Sequence, residues 1–424
     1  MLSFSRLQSS SNANTKRRKV LIAAPFPPRR DGFHGGSLVI GRLVDELAES
    51  HSVAVAYLRA ETELPMEEAL ARRCEVVEEV PRPGAPRDAS RLLRLLGAWV
   101  RGYPMWVEDW HLRAFQHRLR ELVERWQPGV VQFEFHVMAQ YADAAKGCAS
   151  ILVEHEPGAA AARDRWQFSE GWRRPVLARD MRSWIQYERR HLGKFDAVVC
   201  FTELDRRELL ELAPSTRIEV IPPCGSPMRT PQSRGSSEAA CTILFVGNFI
   251  HPPNVDAAKW LAGQIFPRVR ARHPEAVLQL VGDSPPASIR GITGPRVVIT
   301  GRVPDVSPFL DAATVVVAPL RIGGGIRIKM MDALTLGKAI VATPRAVEGL
   351  NVDDGREMLL AESDEAFADA VSTLLSDSAL RDRLSANARA WAVQFLAPGR
   401  VGAAFEELYG SLDRSTSPAN RMRS

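Results

Sequence analysis

Ala318-Pro-Leu-Arg-Ile-Gly-Gly-Gly-Ile-Arg-Ile-Lys-Met-Met-Asp-Ala-Leu-Thr-Leu-Gly337 continues the apolar run Thr314-Val-Val-Val-Ala318. The run reads as a buried parallel strand. Three glycines follow, and then Ile328, Met331 and Leu334 recur at helical spacing. A glycine turn that opens a helix leaves backbone N–H groups pointing outward, with the positive end of the helix dipole behind them. Such a turn is a site for an anion, most often a phosphate. Arg327 and Lys329 add fixed positive charge in the first turn, and Asp332 stands where a carboxylate reaches a sugar hydroxyl. The competing reading is a tight strand–helix turn with solvated basic residues. Gly-Gly-Gly-x-Arg-x-Lys followed by an acid favours the phosphate site.

Working outward, short β-branched runs alternate with helical patterns from Lys19 onward. Strands are expected at Val20–Ala24, Ser52–Tyr57, Glu75–Val80, Val130–Phe135, Ile151–Glu154, Ala197–Phe201 and Ile218–Ile221. Helices fit Gly36–Ser50, Ser90–Arg101, His111–Trp126, Val176–His191 and Glu203–Leu212. After a polar stretch with two prolines and no periodicity the alternation restarts. Strands then fit Thr242–Val246, Ala276–Val281, Val297–Thr300, Thr314–Ala318, Ala339–Ala342 and Met358–Leu360. Helices fit Asn254–Arg272, Ser307–Ala312, Ile326–Leu336, Glu365–Leu374, Ala379–Phe395 and Gly399–Leu412, the last with Val401, Phe405 and Leu408 on one side. Alternation of this kind gives a parallel, doubly wound sheet with ligands at the carboxyl ends of the strands. The expected division is a disordered basic tail at 1–18, a first α/β domain at 19–224, a linker at 225–240, a second α/β domain at 241–397, a terminal helix at 398–412 and a tail at 413–424.

Length agrees with two domains, since 424 residues is long for one core. The net charge of +5 is too small to imply nucleic acid by itself. No apolar run is long enough to span a bilayer, and the Ser/Asn-rich N-terminus has no apolar core of a signal peptide. Cys74, Cys148, Cys200, Cys224 and Cys241 are scattered without C-x-x-C spacing, which points to reduced thiols in a cytoplasmic protein. Neither H-E-x-x-H nor an Asp-x-Asp doublet occurs in a pattern that holds a metal, so none is expected.

The second half resembles the C-terminal domain of family 4 glycosyltransferases, enzymes of the GT-B fold. The residues that carry the resemblance are Ile243-Leu-Phe-Val-Gly-Asn248, His251-Pro-Pro-Asn-Val-Asp-Ala257, Leu280-Val-Gly282, Thr300-Gly-Arg-Val-Pro-Asp305, Pro319-Leu-Arg-Ile-Gly-Gly-Gly325 and Lys329-Met-Met-Asp-Ala-Leu-Thr-Leu-Gly-Lys338. It is similar to the branch of sugar transferases in exopolysaccharide pathways. In the first half, Ala24-Pro-Phe-Pro-Pro28 with Gly35-Gly36 fits the family's opening loop, and Val153-Glu-His-Glu156 fits a strand-end segment. The resemblance implies two Rossmann-like domains facing across a cleft, a nucleotide-sugar donor held by the second and an acceptor held by the first. It also implies transfer with retention of anomeric configuration, and neither metal nor cofactor. The sequence departs from the family at two places. The first acid of the usual Glu-x7-Glu pair falls on Gly324 and the second on Asp332, one methylene shorter. The usual Arg and Lys after the first strand fall near Asn248 and Asn254. Arg327 and Lys329, with the amides of Gly325 and Ile326, are therefore expected to stabilise the leaving diphosphate.

Other candidates follow from strand ends. His136 ends Val130–Phe135 and is expected to contact the donor sugar or orient the acceptor; the alternative is a loop histidine without a role. Glu154 or Glu156 is expected at the acceptor, or else as a helix-capping acid. Gly35 and Gly36 open the first helix and would admit a close ligand approach. Gly282, Arg302 and Val303 fall where the family holds the base largely through backbone atoms, and Asn248 and Gly323 border the donor. The Trp- and Arg-rich stretches Arg91–Trp126 and Arg163–Arg190 admit two readings. Leu92, Leu95, Leu96 and Trp99 form either an ordinary core face with snorkelling arginines or a face resting on an anionic membrane, which would place the enzyme peripherally at the inner membrane face. The expected activity is hexosyl-type transfer to a glycan or lipid-linked sugar. Its rivals are a nucleotide-sugar 2-epimerase, for which no convincing acid–base set is found, and a non-catalytic nucleotide-sugar binder.

Overall fold

Val20-Leu-Ile-Ala-Ala24 is buried on both faces, as a strand covered by helices above and below must be. The structure, a computed structural model, describes residues 17–31, 35–83, 89–167, 169, 171–225, 241–292, 294–323 and 328–416. Most of the expected tail 1–18, most of the linker 225–240, residues 324–327 and the chain from 417 lie outside the described residues. Seven strands make the first sheet: β1 (Lys19–Ala24), β2 (Ser52–Ala60), β3 (Val76–Arg82), β4 (Val130–Glu134), β5 (Ala149–Glu154), β6 (Ala197–Cys200) and β7 (Ile218–Val220). They lie parallel in the order β3-β2-β1-β4-β5-β6-β7. The second sheet holds β8 (Thr242–Val246), β9 (Val277–Val281), β10 (Val297–Gly301), β11 (Val315–Ala318), β12 (Ile340–Ala342) and β13 (Leu359–Leu360). Its order is β10-β9-β8-β11-β12-β13, again parallel. In each sheet the winding reverses beside the first strand, between β1 and β4 and between β8 and β11. Ligands of such sheets bind in the crevice at that reversal.

The terminal helix Arg400–Thr416 returns to the first lobe. Val401, Phe405, Leu408, Tyr409 and Leu412 pack with Val20, Ile22 and Val53 in its core, and the Tyr409 hydroxyl donates to Gln132 Oε1 at 2.6 Å. The two lobes also meet directly. Ile328, at the start of the helix Ile328–Thr335, packs against the cores of both. Arg42 Nη1 of the helix Gly35–Ser50 lies 3.1 Å from Asp332 Oδ1.

One local expectation needs correction, and two helices stand where none is expected. The single helix expected over 254–272 is Pro252–Trp260, a π-type turn Leu261–Ile265 and Phe266–Arg272. Pro267 supplies no N–H, so the hydrogen-bond ladder loosens just before it. His136–Ala145, which shows no helical period, forms a 3₁₀ helix. Gly158–Gln167, Ala-rich and weakly amphipathic, is an additional α-helix. Among the described residues no helix is long and apolar enough to cross a membrane.

Candidate active site

β4 ends in a strained turn. Phe135 has φ 75° and ψ 143°, a conformation that costs a bulky residue about 1–3 kcal/mol. Its ring holds the turn from both sides, edge-on to Phe26 at 5.0 Å and stacked on His155 at 3.8 Å. A Cβ on Gly36 would meet this ring at 2.4 Å and Phe26 at 2.7 Å, so Gly36 is glycine for aromatic packing. Gly35 stands at the head of its helix, where a Cβ would lie 3.8 Å from Ile328 Cγ1. The first helix of the first lobe and the glycine-loop helix of the second therefore start against each other.

His136 follows the strained residue and is 1% exposed. Its Nδ1 donates to the Glu156 carbonyl at 2.9 Å, and Glu154 Oε2 lies 3.5 Å from the same nitrogen. The rings of Trp184 and Trp106 stand edge-on to the imidazole at 4.9 and 5.0 Å. Burial lowers the His136 pKa, so the ring is neutral, with its proton on Nδ1 and a lone pair on Nε2. His136 thus sits buried beneath the partly exposed Trp106.

Around it lies a shell of buried acids. Burial, then the neighbouring Asp205, holds the Glu154 carboxyl well above the usual range. Glu188 is pushed up to about 8 by burial and by Glu154, although its carboxyl accepts the Ala159 N–H at 3.1 Å at the head of the helix Gly158–Gln167. Asp205 is pushed up to about 6, mainly by burial, while the Thr202 hydroxyl donating to it at 2.7 Å works against the rise. His155 Nε2 donates to Glu134 Oε2 at 2.6 Å, and Glu134 Oε1 accepts from Gln132 Nε2 at 2.6 Å. Tyr409, Gln132, Glu134 and His155 therefore form one buried chain of hydrogen bonds from the terminal helix to the ends of β4 and β5. Glu154 lies inside, whereas Glu156 lines a pocket with Asp164, Thr202, Asp205, Arg345 and Glu348.

The second lobe contributes backbone. A Cβ on Gly282 would stand 1.7 Å from the Gly247 carbonyl oxygen, so the turns after β8 and β9 touch because Gly282 lacks a side chain. Asn248 builds the first of these turns: its Oδ1 accepts from Ile250 N at 3.0 Å and its carbonyl from Asn254 Nδ2 at 2.7 Å. Arg302 is exposed after β10, and Val303 packs partly against the core. Gly323 has φ 92°, and its carbonyl accepts from Arg345 Nε at 2.9 Å. The other arms of Arg345 reach Glu348, at 2.7 Å, and Asp164 of the first lobe. Gly324, Gly325, Ile326 and Arg327 lie outside the described residues. Lys329 is exposed in the first turn of its helix, and Asp332 is engaged by Arg42 across the cleft. Among the described residues no group of three His, Cys, Asp or Glu is arranged to hold a metal ion.

Residues 33–224 match the family model described as Glycosyltransferase Family 4, and residues 240–377 that described as Glycosyl transferases group 1. The chain belongs to glycosyltransferase family 4. This family 4 enzyme has the GT-B fold of solved glycosyltransferases. A sucrose-phosphate synthase from Thermosynechococcus elongatus superposes with a TM-score of 0.70 at 17% identity, over 94% of this chain and 100% of that one. WaaG, a glycosyltransferase involved in lipopolysaccharide biosynthesis, gives 0.65 at 17% identity over 92% and 99%. HepE from Anabaena, solved with UDP and glucose, gives 0.63 at 13% over 93% and 100%. Among curated sequences, an uncharacterized 44.6 kDa protein in the cps region of Klebsiella pneumoniae is 23% identical over 137 residues. That alignment takes in 30% of this chain and 35% of the relative, so the glycosyltransferase spans about a third of the curated protein it matches.

Sequence reasoning missed Trp106, Trp184, Glu188, Arg42 and Arg345. Only Trp184 and Glu188 left a sign, four residues apart on one helix face.

Proposed function

We propose that this glycosyltransferase moves a sugar, with retention and without a metal ion, from a nucleoside-diphosphate sugar to a glycan or lipid-linked acceptor. One observation carries the reading: two helices, each following a strand at its sheet's reversal, begin against each other at Gly35 and Ile328. Two positive dipole ends and Lys329 in the second helix's first turn suit a diphosphate whose charge grows as the glycosidic bond breaks. Arg327 is assigned the same work from its place in the sequence. The acceptor oxygen bonds to the anomeric carbon on the face that the diphosphate leaves, and the acceptor proton passes to a leaving phosphate oxygen. Asp332 is assigned the ribose hydroxyls, because a carboxylate accepts about four hydrogen bonds and tolerates Arg42 as well. Residues 241–397 hold the donor and residues 19–224 the acceptor, with Glu156 at the acceptor pocket and neutral His136 and protonated Glu154 shaping its inner wall.

The solved relative with UDP and glucose supports a nucleotide-sugar donor, and the cps-region relative supports an exopolysaccharide-type pathway. Lys329→Ala and Arg327→Ala are each expected to lower kcat by about 10²–10³, the usual effect of removing one group that stabilises developing charge. Near-normal turnover in both variants rules the assignment out.

A further inference from the structure

The helix Ala89–Val100 leaves four large apolar side chains in solvent: Leu92 at 67% exposure, Leu93 at 68%, Leu96 at 55% and Val100 at 63%. At 3.6 residues per turn they fall within an arc of about 100°. The opposite side anchors the helix. Ala98 is buried, Arg91 Nε pairs with Asp109 Oδ1 at 3.1 Å, and Arg179 donates to the carbonyls of Trp99 and Val100 at 2.9 and 2.8 Å. The exposed strip is thus held rigidly outward.

Its surroundings are cationic. Residues 89–107 contain no acid, Arg94 is exposed beside the strip, and Arg101 at its end pairs with Glu108 at 3.4 Å. The neighbouring helix Arg173–His191 presents Arg173, Arg174 and Arg182 to solvent, while both its acids, Asp180 and Glu188, are buried. Just ahead of that helix stands Trp172, 77% exposed and beside the Arg173 guanidinium at 5.5 Å. Its position is about 10 Å along the helix axis from the Arg179 that grips the strip. Apolar residues, a tryptophan and an excess of solvent-facing arginines over acids among the described residues match an acyl boundary beneath anionic headgroups.

We infer that this face docks the enzyme on an anionic lipid surface. The inference deepens the proposed lipid-linked acceptor and rests on that reading only for the acceptor's nature. The strip continues toward the catalytic cleft: Trp106 is 42% exposed, follows the same helix, and lies edge-on to His136 at 5.0 Å. A bilayer at the strip delivers the head of a membrane-borne acceptor beside the wall that His136 supports.

Flotation of the full chain with phosphatidylcholine vesicles, with and without phosphatidylglycerol, tests the inference. Binding to anionic vesicles is expected to exceed binding to neutral ones and to weaken with salt. Leu92→Gln/Leu93→Gln/Leu96→Gln is expected to lose at least tenfold in partitioning, and each of Arg94→Ala, Arg173→Ala and Arg174→Ala about fivefold. These residues are exposed, so unchanged circular dichroism and unchanged turnover of a water-soluble acceptor are expected alongside. Equal weak binding to both vesicles, or full binding by the triple variant, overturns the docking surface. So does a dimer in light scattering that the triple variant dissolves, because the face then covers a second copy. Loss of transfer to every acceptor with vesicle binding intact counts against the catalytic reading instead.

Discussion

Glu188→Gln isolates the cost of the buried acid shell. The Glu188 carboxyl is held at about 8 against an ordinary value of 4.5, first by burial and then by Glu154. A buried acid with a raised pKa keeps its proton in the folded state after the unfolded chain has lost it. The folded enzyme therefore binds more protons between pH 4.5 and about 8, and stability falls with rising pH across that window. At 1.36 kcal/mol per pH unit the full penalty is about 4–5 kcal/mol, present at and above pH 8 and nearly absent below pH 4.5. Glutamine removes the titration and keeps a carbonyl oxygen for the Ala159 N–H, which Glu188 now accepts at 3.1 Å. Urea unfolding of both proteins from pH 5 to pH 9 should show Glu188→Gln ahead by about 1 kcal/mol at pH 5 and by about 4 kcal/mol at pH 8, with the gap constant above pH 9. The histidines lowered by burial, His51, His136, His155 and His191, oppose this trend below pH 6.5, where the unfolded chain charges them first, and they do so alike in both proteins. Parallel stability profiles for the two proteins would refute the reasoning, since Glu188 would then titrate alike folded and unfolded.

Two further changes probe the geometry. In Gly158→Ala a Cβ would meet the fully buried Trp184 ring at 2.3 Å, and overpacking of this kind should cost about 1–3 kcal/mol in urea unfolding; a loss below a few tenths would show that the helix Gly158–Gln167 shifts freely. Arg42→Ala removes the interlobe pair with Asp332 at 3.1 Å, both side chains being mostly buried, and is expected to raise the donor KM several-fold and enlarge the radius of gyration in solution scattering. Unchanged scattering together with unchanged KM would mean that the pair does not hold the lobes.

The sheets were legible because their strands are short, β-branched and punctuated. Val130-Val and Thr314-Val-Val-Val announce buried parallel strands whatever surrounds them, and the family motifs then point to GT-B. Strand order is not written in such runs, because a buried apolar strand says nothing of its neighbour. Gly35 is where the sequence puts it, at the head of a helix, with an added Cβ 3.8 Å from Ile328 Cγ1, whereas meetings of distant residues leave no mark on the sequence. Asp332 reads as a sugar ligand, yet its partner Arg42 lies 290 residues away. Gly36 reads as an opening for a ligand, and its lack of a side chain also seats Phe135 and Phe26, which an added Cβ would meet. The exposed leucines of Ala89–Val100 carry a core-like pattern, and only the packed structure shows that no core meets them.

Arg345 ties the two lobes together beside the glycine loop. Its guanidinium is planar and rigid, so three partners on one arginine are fixed relative to each other. One is the carbonyl of Gly323 at the head of the glycine loop, one is Glu348 on its own lobe, and one is Asp164 across the cleft in the helix Gly158–Gln167. That helix begins at Gly158 against Trp184, which stands edge-on to His136. Asp164 and Gly323 are thus held to one guanidinium, which joins the helix beside Trp184 to the start of the glycine loop. The pair is only partly screened, its side chains being 32% and 17% exposed, so its Coulomb attraction is stronger than that of a surface pair. An arginine shared in this way, together with the Arg42–Asp332 pair, suits an enzyme whose two substrates must meet in register, because either lobe's movement alone would break the geometry that the other requires.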